Sequence, residues 1–274
     1  MATQNSLIYD TASSRPRALV ALADILRSRD LVLQLVRRDI LTRYKRSVLG
    51  LAWTMLNPLG MMLIFTAVFS QLFGGTPAYP AYVLSGLVAW NFFAQTTTIS
   101  MTQLVWGSAL LHRIFVPKAV FAVSSIGTGL VNLGLSLVPL FGIMLLIGAP
   151  LRATVLFLPV AILFLAMFTL GVGLLLSMLA VFFPDVSEMY QIVLLAWFYL
   201  TPVIYPVDIV PEAFRQLLLL NPMYHLITLF RMPIYEAVLP SVEQIAIGAA
   251  IASVALLGGW VAFSKKADEF AYYV

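Results

Sequence analysis

Few side chains in this sequence are placed to do chemistry together. Asp185 and Glu188 share the turn FFPDVSEMY, where paired carboxylates could bind a cation or exchange a proton with a substrate. Acids at the start of a helix give the same pattern. Asp185 follows Pro184 directly, and the helix-start reading is preferred. No Gly-rich phosphate loop ends in Gly-Lys-Ser/Thr, no His-Glu-x-x-His is present, and the chain has 0 cysteines for thiolate ligands or disulfides. No catalytic residue, bound cofactor or metal site is expected in the chain itself.

The elements that must carry whatever function remains are apolar. Of 274 residues, 61% are hydrophobic and 10% charged, well below the charged share of about 25% in soluble domains. The sequence predicts an all-α, polytopic membrane protein. A barrel is disfavoured, since barrel strands alternate polar and apolar residues and these runs are apolar on every face. The pI near 9.4 could suggest nucleic acid, but nine of the sixteen Lys and Arg residues precede Val48. That is where the positive-inside rule puts them, and no nucleic-acid partner is expected.

Residues 1–17, with a Ser pair and Pro16, read as a flexible tail. The start MATQNSLIYD lacks a basic-then-apolar leader, so the first span is expected to serve as the targeting signal. Over 18–48, Leu22, Leu26, Leu33, Val36, Ile40, Tyr44 and Val48 recur mainly at helical steps. An amphipathic helix on the cytoplasmic membrane surface is expected there. Arg37, Arg38, Arg43, Lys45 and Arg46 would lie among lipid phosphates. The body, 49–266, reads as six spans: 51–73, 82–103, 119–147, 153–183, 189–204 and 245–263. Residues 267–274 form a short cytoplasmic tail. With both ends inside, cytoplasmic segments hold thirteen Lys and Arg and outside segments three (Arg152, Arg215 and Arg231), which fits the rule. His112 and His225 then fall on opposite sides and cannot share a site.

The segment after span five, PVDIVPEAFRQLLLLNPMYHLITLFRMPIYEAVLP, is apolar yet broken at Asn221-Pro222 and Pro233. Two short re-entrant helices account for this. A single kinked span is the alternative, and it would put Arg215 or Arg231 in lipid. The spans carry almost no ionisable group, which disfavours an ion-coupled carrier and an intramembrane acid–base enzyme. Energy for transport would have to come from another chain. Aromatic residues gather toward the outer side, among them Trp90, Trp197, Tyr205, Tyr224 and Tyr235. They read either as an interfacial belt or as stacking faces for sugar rings along a channel and its exit.

The run RRDILTRYKRSVLGLAWTMLNPL resembles the hallmark of membrane subunits of bacterial ABC exporters for O-antigen, teichoic acid and related surface polysaccharides. Its pattern Tyr-x-x-Ser-x-Leu-Gly-x-x-Trp stands here as Tyr44, Ser47, Leu49, Gly50 and Trp53, followed by Asn57-Pro58. FFPDVSEMYQIVLLAWFYLTPVIYP and LNPMYHLITLFR extend the resemblance in order along nearly the whole chain. It implies a homodimer in the bacterial cytoplasmic (inner) membrane, joined to two copies of a separate ABC ATPase that uses ATP and Mg. It further implies a coupling helix around His112, Arg113, Pro117 and Lys118, and short re-entrant helices at the exit. The implied function is export of a lipid-linked polysaccharide of O-antigen type, with a polyol-phosphate polymer as the alternative cargo. A stand-alone scaffold or passive channel is the non-transport alternative.

Overall fold

The fold is described from a computed structural model, for residues 26–45, 47–73, 78–106, 117–149, 152–267 and 269–272. Every regular element among them is helical. In chain order these are α1 (Arg29–Tyr44), α2 (Ala52–Phe69), α3 (Tyr79–Trp106), α4 (Ala119–Ile147), α5 (Leu158–Phe182), α6 (Val186–Leu200), α7 (Glu212–Leu220), α8 (Pro222–Arg231) and α9 (Val242–Lys266). A 3-10 turn, Ala153–Phe157, leads into α5, a wide π turn, Met232–Glu236, follows α8, and a short turn, Glu269–Tyr272, follows α9.

Among the described residues, four helical stretches are long and apolar enough to cross a membrane: Ala52–Phe69, Ala119–Ile147, Ala153–Phe182 and Val242–Lys266. The α7–α8 pair makes a fifth if it is counted as one span, bent by 89°. The expectation of six rested also on α3 and α6. With 28 residues α3 has the length but is rich in Ser, Thr, Asn and Gln, and α6 has only 15. Polar content and length, rather than any charge, set these two apart.

The core lies around α3, whose residues Ala81–Trp90 are buried without a break. A second, smaller cluster joins Leu35 of α1 to the start of α4 and the ends of α5 and α9. Helices α5 and α9 meet backbone to backbone. A Cβ on Gly171 would stand 2.2 Å from the Ala255 carbonyl oxygen, and one on Gly259 would stand 2.1 Å from that of Gly171. Small residues let two backbones meet in this way where no hydrophobic force separates helix from lipid.

Local sequence explains the breaks. Between α1 and α2, Gly50 takes φ +48° and its N–H donates to Ser47 Oγ at 3.1 Å. The Ser and Gly of the hallmark pattern thus build the corner where the basic helix turns into the first span. A Cβ at Gly50 meets nothing within 4 Å, so its cost is backbone strain alone. We expect Gly50→Ala to destabilise by about 1–2 kcal/mol and Gly50→Asn by less, because Asn tolerates the left-handed region. Thermal unfolding in detergent checks the order Gly, Asn, Ala; equal Asn and Ala variants would remove the explanation. At α9, Ser241 and Gln244 form a reciprocal capping box, a strong helix start.

Candidate functional site

The apolar segment after α6 is held by one buried cation. Arg231 ends α8 and is 5% exposed. Its guanidinium donates to the carbonyls of Pro202 and Val203 at 3.0 and 2.9 Å and lies 3.7 Å from the centre of the Tyr82 ring. Gly86 makes the seat, since a Cβ there would fall 2.3 Å from Arg231 Nη2. Arg231, counted with the outside segments from its charge, is buried within protein. The turn after α6 supplies carbonyls that no helix satisfies, and these offset the loss of water around the guanidinium.

Asn221 makes the second junction. Its Oδ1 accepts from Trp197 Nε1 at 2.8 Å and from Met223 N at 3.0 Å. Its Nδ2 donates to Thr201 Oγ1 at 2.9 Å and to Leu200 O at 3.2 Å. One side chain thus caps α8 and ties it to the end of α6, which is the physical content of the Asn-Pro pair: Asn at the cap, Pro at the first helical position.

The aromatic residues singled out from the sequence fall around these junctions. Trp90 is buried, edge-on to Trp197 at 6.4 Å and to Phe198 at 5.5 Å. Tyr82 stands edge-on to Tyr235 at 5.4 Å and donates its hydroxyl to Tyr205 O at 2.9 Å. Tyr205 in turn donates to Tyr199 O at 2.9 Å. Tyr224 is half-buried and edge-on to His225 at 5.2 Å. Trp90 is a core residue of this chain, whereas Trp197, Tyr205, Tyr224 and Tyr235 keep partial exposure.

The basic helix docks through part of its apolar periodicity, Val36 and Ile40 being half-buried. Leu26, Leu33 and Val48 are exposed, while Leu35 is buried and Val36 lies over Gly127. Asp39 also turns inward and accepts from Gln103 Nε2 of α3, while Ser125 of α4 donates to Gln103 Oε1 at 2.8 Å. Arg38 pairs with Asp39 at 2.9 Å. Arg37, Arg43 and Lys45 are exposed, Tyr44 closes α1, and Arg46 lies outside the described residues.

Of the expected coupling residues, His112 and Arg113 lie outside the described residues, and Pro117 and Lys118 stand at the start of α4. Lys118 Nζ donates to Ala267 O and sits 5.3 Å from the Phe270 ring centre. Phe270 is 1% exposed and packs edge-on against Phe182 at 5.7 Å and Phe263 at 5.2 Å. Asp185 and Glu188 are exposed at the start of α6, and Asp185 makes no side-chain cap bond. Sequence reasoning missed Asp39, Gln103 and Phe270; the Asp among basic residues was the one available signal.

Comparison with known proteins supplies the frame for this arrangement. The ABC-2 type transporter family matches residues 30–235. The O-antigen export system permease protein RfbA of Myxococcus xanthus is 34% identical over 251 residues, 89% of this chain and 95% of the relative. A protein of the same name from Klebsiella pneumoniae is 25% identical, with 88% and 94% covered. The polysialic acid transport protein KpsM of Escherichia coli is 24% identical over 74% of this chain and 79% of the relative. The family match spans α1 to the π turn, and so includes the Ser47–Gly50 corner, the Asn221 junction and the Arg231 seat: the chain is a membrane permease of the ABC-2 type transporter family.

Proposed function

We propose that this chain is the channel-forming half of an ATP-driven exporter that carries a lipid-linked surface polysaccharide of O-antigen type across the inner membrane. The observation that carries the reading is the near full-length match to an O-antigen export permease, 34% identical. The relatives named for polysialic acid transport are more distant, at 24%, which favours the O-antigen class over an acidic capsule. The channel forms between two copies of the chain, and two copies of a separate ABC ATPase supply the energy. The lack of ionisable groups in the spans supports an external energy source.

In this reading the chain crosses six times, through α2, α3, α4, α5 with its leading turn, α6 and α9, with both ends cytoplasmic. A rise of about 1.5 Å per residue gives α3 a length of roughly 40 Å, enough for a core of about 30 Å. The short α6 reaches the outer face together with the extended stretch after it. The bent α7–α8 pair is re-entrant at the exit, where Tyr205, Tyr224 and Tyr235 offer ring faces to passing sugars, with Trp90 and Trp197 behind them. Arg37, Arg38, Arg43, Tyr44, Lys45 and Arg46 hold α1 at the lipid surface, and the segment with His112, Arg113, Pro117 and Lys118 meets the ATPase.

The test is reconstitution. The chain is purified with the ABC ATPase encoded beside it and placed in vesicles with a lipid-linked polysaccharide. ATP should then drive polymer across, and Tyr224→Ala should lower transport per unit of inserted protein more than it lowers thermal stability. If no ATPase co-purifies and ATP moves no polymer, the reading fails.

A further inference from the structure

A cavity of about 300 Å³ lies between α2, α3 and α4, at the small end of the range for small-molecule sites. It shares no lining residue with the Arg231 cluster. Its deep side is apolar, formed by buried Val88, Phe92 and Leu133. Its walls hold four carboxamides: Asn57 from α2, Asn91 and Gln95 from α3, and Asn132 from α4. Asn132 Oδ1 is buried without a hydrogen-bond partner among the described residues. Asn91 is half-buried, and Asn57 and Gln95 are exposed. Apolar helices rarely spend four amides on nothing, because hydrocarbon offers no replacement for water.

The types of group narrow the occupant. A carboxamide carries a donor and an acceptor at one end, which suits hydroxyls that both give and take hydrogen bonds. The lining contains no carboxylate, so a metal cation finds no charge to hold it. Trp53 and Phe92 add ring faces. Among the described residues the wall has one charged side chain, exposed Arg43, beside Ser47 at the α1–α2 corner, and a guanidinium there suits a phosphate oxygen.

We propose that the α2–α3–α4 cavity binds the sugar next to the lipid of a lipid-linked glycan, with its hydroxyls on Asn91, Gln95 and Asn132 and the linking phosphate at Arg43. This rests on the exporter reading and goes beyond it, because it gives the lipid end of the cargo a seat within one protomer. The polymer could then be recognised by its lipid end before it enters the channel.

The chain has no cysteine, so Ser136→Cys, at the cavity wall, is a clean reporter in the complex with the ATPase. A water-soluble maleimide should label it. A polyprenyl diphosphate bearing one N-acetylglucosamine should slow the labelling. The same lipid without the sugar, and phosphatidylglycerol, should not. Asn91→Leu with Asn132→Leu should weaken the protection at least about tenfold, the change that loss of one or two hydrogen bonds brings, while ATPase still co-purifies and confirms the fold.

Equal protection by the sugar-free lipids would make this a general headgroup site and overturn the proposal. A dry, unlabelled Ser136→Cys would overturn it too, as would a disulfide between two copies. Normal polymer transport by the Asn91→Leu, Asn132→Leu variant would sink the cavity alone. Absence of transport by the parent complex would sink the exporter reading instead.

Discussion

Arg231→Met should release the segment after α6 from α3 and lower the thermal stability of the solubilised protein more than any surface charge change. The guanidinium satisfies the carbonyls of Pro202 and Val203 and lies on the Tyr82 ring. A hydrogen bond from a charged donor contributes about 1.5–3 kcal/mol, and a desolvated cation–π contact about 2 kcal/mol. These are not additive, and a loss of about 3–5 kcal/mol is the scale for breaking a buried charged network. Met fills part of the volume but leaves the Val203 carbonyl without its donor and the Pro202 carbonyl with only the longer bond from the Tyr82 hydroxyl, 3.4 Å. Lys keeps the charge and loses the fork that reaches both carbonyls, so Arg231→Lys should fall between.

Gly86→Ala gives an independent check. Its Cβ would stand 2.3 Å from Arg231 Nη2, so it should reproduce much of the loss while leaving the arginine in place. Thermal unfolding and limited proteolysis across 201–210 report both variants. An unchanged melting temperature for Arg231→Met, with no new cleavage after α6, would show that the cation holds nothing there.

Arg231 also marks the point beyond which the sequence could not be read. Hydropathy located α4 and the Ala153–Phe182 stretch to within a residue or so, because apolar runs of that length have one use. The Asn221-Pro222 break was visible because Pro lacks an amide hydrogen. Arg231 was placed in that broken segment with no partner, because a single sequence does not reveal the carbonyls that will satisfy it. The basic helix was legible only in part for a related reason. Periodicity selected Val36, which does meet Gly127 more than eighty residues away, but also Leu26, Leu33 and Val48, which are exposed. It passed over Leu35 and Asp39, the latter held by Gln103 more than sixty residues away. The cavity amides gave no signal at all, since Asn and Gln within a span look like ordinary polar interruptions until three helices bring them together.

The C-terminal turn was equally silent, and it carries the last expected result. Phe270→Ala should detach residues 267–272 and loosen the start of α4. The ring is 1% exposed, wedged between Phe182 and Phe263, and truncating a buried Phe costs about 3–5 kcal/mol. Lys118 reaches the same turn through Ala267 O and the Phe270 ring. Two explanations of Lys118 then separate. If it acts by touching the ATPase, Lys118→Ala should lower ATP-driven export by the same factor whether or not Phe270 is present. If it acts by fixing the turn, the second substitution should add little once Phe270 is gone, because both remove one junction. The cycle of single and double variants is read twice, as melting temperature and as export per ATP hydrolysed. We expect strong coupling in both, with Lys118 holding in place, through this turn, the segment proposed to meet the ATPase. The end of α9, the end of α5 and the start of α4 meet at this ring, so a change in the segment that precedes α4 can be felt by three helices at once. Full additivity in export, with coupling confined to stability, would return Lys118 to a direct contact and leave the turn a purely structural clasp.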